Sequence, residues 1–157
     1  MRKTRIYLDT SVVSMLDDSE RGIITKKFFE KTTRESDNYE IILSSVLDDE
    51  LTKADNEKKT EIYKRLELLK TTKIERNKEA ENLAWIYVIE GVLTESHFQD
   101  LRHIAYAVVA HCDYVVSWNM RHLSNDKTIT RVNMYNKVNN LSIIMITPPT
   151  LFVGEIK

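Results

Sequence analysis

The chain has little of what stabilises small secreted, fibrous or membrane proteins. Its 157 residues include one cysteine, three glycines and two prolines. The single Cys112 excludes an internal disulfide and is typical of a reducing compartment. The scarcity of glycine and proline argues against a linker-rich or disordered chain. No apolar run approaches the roughly 18 residues of a membrane span, and the run after the basic N-terminus is too short for a signal peptide. We therefore expect a cytoplasmic globular protein.

The charge balance and the missing motifs exclude further classes. A formal net charge of -1 gives no overall attraction for nucleic acids, so a polyanion would have to meet a local basic patch. The chain contains no G-x-G-x-x-G, P-loop or G-x-S-x-G motif. With 42% hydrophobic and 30% charged residues, its composition is that of a globular domain, and we expect one domain over residues 1–157.

Short apolar runs alternate with segments of helical periodicity. Strands separated by helices of this length predict an α/β fold with a mostly parallel central sheet and helices on both faces, an α/β/α sandwich. The predicted strands are 5–9, 40–43, 114–117 and 142–146. The predicted helices are 20–34, 44–54, 57–70, 78–90, 94–112 and 126–140.

Acidic and amide side chains stand where these apolar segments begin or end. Asp9 ends the first strand, Glu50 and Asp100 lie on the helices at 44–54 and 94–112, and Asn119 follows the third strand. Singly, Asp9 could cap a turn, Asp100 could stabilise a helix start and Glu50 could be solvated. If they converge at the carboxyl edge of the sheet, their charges repel unless a divalent cation joins them. A dehalogenase-like phosphatase also places an Asp there, but it requires a second acid where Ser11 stands.

In this order, four stretches resemble the PIN-domain nucleases. They are Tyr7-Leu8-Asp9-Thr10-Ser11, then residues 42–51 (ILSSVLDDEL), residues 100–107 (DLRHIAYA) and residues 112–119 (CDYVVSWN). The resemblance covers essentially the whole chain. Small bacterial and archaeal members of that family are commonly the ribonuclease toxins of VapBC toxin–antitoxin pairs. The family fold is a parallel-stranded α/β/α sandwich, which agrees with the periodicity.

The resemblance implies a metal-dependent endoribonuclease. It gives Asp9, Glu50 and Asp100 the role of acidic metal-site residues, because Mg²⁺ or Mn²⁺ suits carboxylate and water ligands. Asp9 and Asp100 are the expected direct ligands, whereas Glu50 could bind through water or position the attacking water. Thr10 or Ser11 could bind the metal shell or a phosphate. The implied products carry a 5′-phosphate and a 3′-hydroxyl, and the implied partners are an RNA substrate, a small antitoxin and a second copy of the chain.

Asn119 departs from the family pattern, since many members have an acid at that position. Asn keeps an oxygen ligand but removes a charge, so a second metal should bind more weakly. This keeps open a one-metal nuclease, or an RNA- or protein-binding module that cuts poorly or not at all. Near the expected cleft mouth, Arg102 and Arg121 could contact phosphates or form ordinary surface ion pairs. Trp118 could stack on a base or pack beside the strand end.

The four histidines, residues 97, 103, 111 and 122, also lie close together in the sequence. Their spacing is unlike that of common zinc sites, which argues against zinc.

Overall fold

The central sheet is all-parallel. The structure, a computed structural model, describes residues 2–15 and 17–153. Within this part of the chain five strands pair in the order β3-β2-β1-β4-β5. The strands are β1 (Thr4–Leu8), β2 (Tyr39–Ser44), β3 (Thr71–Ile74), β4 (Tyr114–Val116) and β5 (Met145–Thr147). The predicted α/β class with a parallel sheet is confirmed.

Helices connect the strands, and several begin at side-chain caps. Ser19, Asp55, Asn77 and Asn125 each accept a hydrogen bond from a backbone N–H of the following helix, which satisfies one of its unpaired donors. None of the described helices is both long and apolar enough to cross a membrane. The helices are α1 (Thr10–Val13), α2 (Glu20–Arg34), α3 (Ser45–Leu51), α4 (Asn56–Glu67), α5 (Lys78–Ile89), α6 (Phe98–Val109), α7 (Asp126–Val138) and α8 (Thr150–Val153), with a short 3₁₀ helix at Glu95–His97.

Each face of the sheet has its own apolar core. Side chains alternate along β1, so that Tyr7 packs in one core while Ile6 and Leu8 pack in the other. Helices α5, α6 and α7 cover the first face, and α2, α4 and α8 cover the second. This is the predicted α/β/α sandwich, and it follows from strands that are apolar on both faces.

The strand order creates one switch point at the centre of the sheet. The connection after β1 leads to β2 on one side, whereas β4 lies on the other side of β1. Leu8 pairs with Val116, so the carboxyl ends of β1 and β4 lie side by side. Crevices at such points are where open α/β sheets bind ligands. Asp9 follows β1 here, and Ser117 to Asn119 follow β4.

The strand β3 was missed in the sequence. Thr71–Ile74 is a short edge strand with only partly buried or exposed residues, so it has neither an apolar run nor an alternating pattern. Pairing with β2 defines it, since Ile41 to Ser44 lie opposite Thr71 to Ile74. The short helices α1 and α8 were missed as well, because four residues are too few to show a 3.6-residue period.

The last strand is displaced from its predicted position. It was predicted at 142–146 but runs from Met145 to Thr147. The Asn133 side chain of α7 accepts from the Ile144 N–H and donates to the Ile144 carbonyl. A side chain thereby takes the hydrogen bonds that a sheet neighbour would provide. The helix predicted over 94–112 divides into the 3₁₀ turn at Glu95–His97 and α6.

Candidate functional site

Asp9 lies buried at the switch point between β1 and β4. Its Oδ1 accepts from the Ser11 hydroxyl at 2.6 Å and from the Val12 N–H at 3.3 Å, and its Oδ2 accepts from the Ser117 hydroxyl at 2.5 Å. Asp9 is also the N-cap of α1, so the capping interpretation of the sequence holds alongside any functional one. Burial nevertheless raises the pKa of Asp9 above its ordinary value, against the opposing effects of His103 and the hydroxyl donors.

Asp100 reaches the same edge from the first turn of α6. Burial raises its pKa to about 6, and repulsion from Asp9 and Glu50 adds to the rise, while His103 opposes it. The Nδ2 of Asn119 donates to Asp100 Oδ2 at 3.3 Å. The other end of that amide, Oδ1, accepts from the His122 N–H at 3.0 Å. Asn119 thus joins Asp100 to the turn after β4, and its oxygen already has a partner.

Glu50, on α3, is the third acid of this group. Its Oε1 accepts from the Thr10 hydroxyl at 2.7 Å and contacts His103 Nε2 at 2.5 Å. Burial would raise the pKa of Glu50, but the hydrogen bond and charge of His103, together with Thr10 and Arg102, bring it below its ordinary value. Glu50 therefore differs from Asp9 and Asp100, because it is the one acid of the three whose ionised form the surrounding protein favours.

Arg102 lies beneath the site, and its predicted contact with phosphate does not fit its surroundings. The guanidinium is 5% exposed. It donates to both oxygens of Glu81, to Asp49 Oδ2 and to Gln99 Oε1. These bonds connect α3, α5 and α6. Since the donors are engaged and the head group is buried, Arg102 serves to hold these helices together.

The remaining predicted residues divide between the surface and the core. Arg121 is exposed, beside the turn that carries Asn119. Trp118 is 6% exposed, and its indole N–H donates to the Thr25 hydroxyl at 2.8 Å, so it packs at the strand end rather than presenting a face for a base. The guanidinium of Arg21 lies 5.0 Å from the Trp118 ring centre. Both arginines are exposed; Arg21 lies over Trp118, and Arg121 follows Asn119 by two residues.

The donor set suits a hydrated hard cation. Among residues 2–15 and 17–153 no group of three or more His, Cys, Asp and Glu side chains is arranged to hold a metal ion. Mg²⁺, however, keeps several waters and is commonly bound through one or two carboxylates. In the described part of the chain neither Asp9 nor Asp100 pairs with Lys or Arg; His97 Nδ1 lies 3.9 Å from Asp100 Oδ2. One buried and one partly buried carboxylate fit a cation of this kind.

Three members of the site were not singled out from the sequence. Ser117 donates to Asp9, His103 contacts Glu50, and Tyr7 contacts His103. The spacing offered a signal for His103, which lies three residues after Asp100 on one helix face. Ser117 follows a strand as Asp9 does. Nothing in the sequence near Tyr7 distinguishes it from a core residue.

Comparison with known proteins agrees on the fold. No family model and no curated protein sequence matches the chain. Among solved structures, Mycobacterium tuberculosis VapC20, described as a sarcin–ricin loop cleaving toxin, superposes with a TM-score of 0.58 at 14% identity, covering 74% of this chain and 92% of that one. VapBC2 from Rickettsia felis, bound to a DNA fragment from its promoter, gives a TM-score of 0.55 at 13% identity over 91% and 97%. The resemblance seen in the sequence is thus matched in three dimensions, and the chain has a VapC-like PIN-domain fold.

Proposed function

We propose that the protein is a metal-dependent endoribonuclease, the toxin of a toxin–antitoxin pair. One observation carries the proposal: the buried Asp9 and the partly buried Asp100 lie at the switch point of the sheet, close enough for repulsion to raise the pKa of Asp100, and neither pairs with Lys or Arg among the described residues. Burying uncompensated charge is unfavourable unless a cation completes the site. VapC20, described as a sarcin–ricin loop cleaving toxin, shares the fold.

Asp9 and Asp100 would hold Mg²⁺ or Mn²⁺, and Glu50 stands beside them. The bound cation would supply positive charge for the phosphate and a water of lowered pKa. Ser11 and Ser117 keep the Asp9 carboxylate in place through their hydroxyls. Thr10 donates to Glu50. Thr10 and Ser11, predicted to bind the metal shell or a phosphate, would therefore act indirectly, by holding the carboxylates of Glu50 and Asp9.

Substrate phosphates would meet the exposed cations at the rim of the site. Arg121 is our candidate for phosphate contact, and Arg21 joins it because its guanidinium lies over the ring of Trp118, the residue before Asn119. Such contacts position the backbone without reading sequence. Together these two arginines would supply local positive charge for RNA on a chain whose formal net charge is -1.

The test is cleavage of a panel of structured RNAs by the purified protein in Mg²⁺, Mn²⁺ or EDTA. The variants are Asp9→Asn and Asp100→Asn, with Asp37→Asn as a matched control, since Asp37 is exposed and precedes β2 at the opposite edge of the sheet. We expect cutting that needs the cation and both buried acids, with 5′-phosphate products, and a fully active control. Metal-independent cutting, or full activity without Asp9, would refute the proposal.

Asn119 supports a second candidate, an RNA- or protein-binding module that does not cut. The side chain of Asn119 is uncharged, where an acid would strengthen binding of a cation. Its Oδ1 already accepts a hydrogen bond from the His122 N–H. This candidate predicts RNA binding of equal strength in EDTA and in the Asp9→Asn variant, with no products in any metal.

The partners follow from the same proposal. VapBC2 is a complex of toxin and antitoxin bound to promoter DNA, and we propose a small antitoxin for this chain and a homodimer for the free protein. Expression of the chain alone should arrest growth, and co-expression of a small protein encoded next to it should restore growth. A single-copy mass for the free protein at micromolar concentration would contradict the dimer.

A further inference from the structure

A buried chain of hydrogen bonds runs from the core to Glu50. The Tyr7 hydroxyl lies 2.6 Å from Ser44 Oγ and 2.6 Å from His103 Nδ1, and His103 Nε2 lies 2.5 Å from Glu50 Oε1. Tyr7 and His103 are 0% and 2% exposed. Four residues from β1, β2, α3 and α6 are therefore joined in one line that ends at an acid of the site.

The line has a defined direction at its functional end. Glu50 Oε1 already accepts from the Thr10 hydroxyl, and a carboxylate oxygen can only accept hydrogen bonds. His103 Nε2 therefore carries the proton. Its other nitrogen is held by Tyr7, whose ring packs edge-on at 5.5 Å between ring centres. With both nitrogens bonded and the ring enclosed, the imidazole has one orientation.

A second contact fixes the helix that carries Glu50. Arg102 donates to Asp49 Oδ2 at 2.8 Å, while the next residue of α6, His103, contacts the next residue of α3, Glu50. Two consecutive residues of one helix thus bind two consecutive residues of the other. This double attachment sets both the position and the rotation of α3 at the site.

The two oxygens of Glu50 are left in different states. Oε1 has two donors, Thr10 and His103. Oε2 has no hydrogen-bond partner within residues 2–15 and 17–153, and the Glu50 side chain is 29% exposed. Glu50 does not join Asp9 and Asp100 in a set of three ligands, because residues 2–15 and 17–153 contain no such group arranged to hold a metal ion. The unpartnered Oε2 of Glu50 remains available to a water molecule.

We propose that His103 is a positioning residue that holds Glu50 beside the Asp9–Asp100 pair but out of the direct coordination of the cation, so that Glu50 orients a water molecule. The proposal rests on the proposed nuclease function for its consequence in catalysis. Its geometric part concerns metal binding alone and does not require that RNA is cut.

The geometric part, that Glu50 is not a direct ligand of the cation, is tested by titrating the metal-free protein with Mn²⁺. Calorimetry and the EPR signal of free Mn²⁺ monitor the binding. We expect Asp9→Asn and Asp100→Asn to weaken Mn²⁺ binding at least tenfold, and Glu50→Gln and His103→Gln to change it less than threefold. If Glu50→Gln weakens binding as much as Asp9→Asn, Glu50 is a direct ligand and the proposal is wrong.

Kinetics with RNA and Mn²⁺ test the positioning role. Loss of a residue that orients an active-site group typically costs about 10–100-fold in activity. His103→Leu should lower kcat by that factor, with KM changed less than threefold. His103→Gln keeps an N–H donor, and its kcat should be at least tenfold higher than that of His103→Leu. His111→Asn is the control, since His111 is exposed and bonds Ser142 away from the acids. Equal activity of His103→Leu and wild type, or equal loss in the Leu and Gln variants, would overturn the proposal.

Two further measurements keep the outcomes distinct. Urea unfolding shows whether His103→Leu is folded. Tyr7→Phe is a milder variant, because it removes only the tyrosine hydroxyl that contacts His103 Nδ1. It should lower kcat and leave KM unchanged. If the wild type cuts no RNA, the nuclease function fails while the Mn²⁺ titration still decides whether Glu50 is kept off the cation.

Discussion

Replacing Asp100 by Asn should stabilise the metal-free protein while abolishing cleavage. The pKa of Asp100 is raised to about 6 from an ordinary value of 3.8. At 1.36 kcal/mol per pH unit, this difference makes the ionised folded form unfavourable by about 3 kcal/mol at pH 7.5. The Asp100 side chain is 22% exposed, so solvent reduces this figure, and we expect a gain of about 1–3 kcal/mol in the free energy of unfolding.

The pH dependence gives the sign of this effect. The folded protein holds the Asp100 proton more tightly than the unfolded chain does, so this group favours folding below pH 3.8, and that contribution is lost as the pH rises through about 6. The advantage of Asp100→Asn should therefore be largest at pH 7.5 and should fall to about a third at pH 4.5. Asn keeps an oxygen that can accept from Asn119, so the packing is preserved.

Urea unfolding in EDTA at the two pH values measures this difference. Asp37→Asn is the control and should lie within about 0.5 kcal/mol of wild type, as exposed substitutions do. Added Mn²⁺ should stabilise the wild type and leave Asp100→Asn almost unchanged. If Asp100→Asn is no more stable than wild type in EDTA at pH 7.5, ionisation of Asp100 does not destabilise the folded protein. The argument for a cation at this site is then refuted.

Three further predictions concern the residues around the acids. Replacing Arg102 with Leu should lower the free energy of unfolding by about 3–5 kcal/mol in urea, because Glu81 then loses its buried partner; a change below 1 kcal/mol would contradict the role given to this ion pair. Mn²⁺ should raise the melting temperature more at pH 7.5 than at pH 5, because below pH 6 it must displace a proton from Asp100; an equal rise at both pH values in a scanning calorimeter would argue against Asp100 as a ligand. Arg121→Gln should raise KM for RNA and weaken its salt dependence with little change in kcat; a fall in kcat at constant KM would place Arg121 in the chemical step.

Local signals in the sequence were enough for the main elements of the fold. Helix α2 begins and ends where its periodicity predicted, at residues 20–34, and the buried runs of β1, β2 and β4 were visible as uninterrupted apolar segments. Strand β3 carries no such signal, because Thr71–Ile74 lies at the sheet edge and is defined by pairing with β2. The start of β5 was missed for a related reason, since the Asn133 side chain takes the backbone bonds of Ile144.

The roles of charged residues depended on burial, which the sequence does not record. Arg102 was expected near the cleft mouth, where it could contact a phosphate or form a surface ion pair, and the structure pairs it with Glu81 and Asp49 in the interior instead. Of the two roles that the sequence left open for Trp118, base stacking and packing beside the strand end, the structure shows packing against α2.

The sequence by itself determined that three acids and an amide stand at the ends of the elements that a parallel sheet brings together, because element type and order follow from periodicity along the chain. Only the tertiary structure decided what each acid is able to do. Burial raises the pKa of Asp9 and of the partly buried Asp100, and neither pairs with Lys or Arg among the described residues, whereas His103 and Thr10 lower the pKa of Glu50. The physical reason is that the free energy of a charge depends on its surroundings in space, and His103 reaches Glu50 from 53 residues away along the chain.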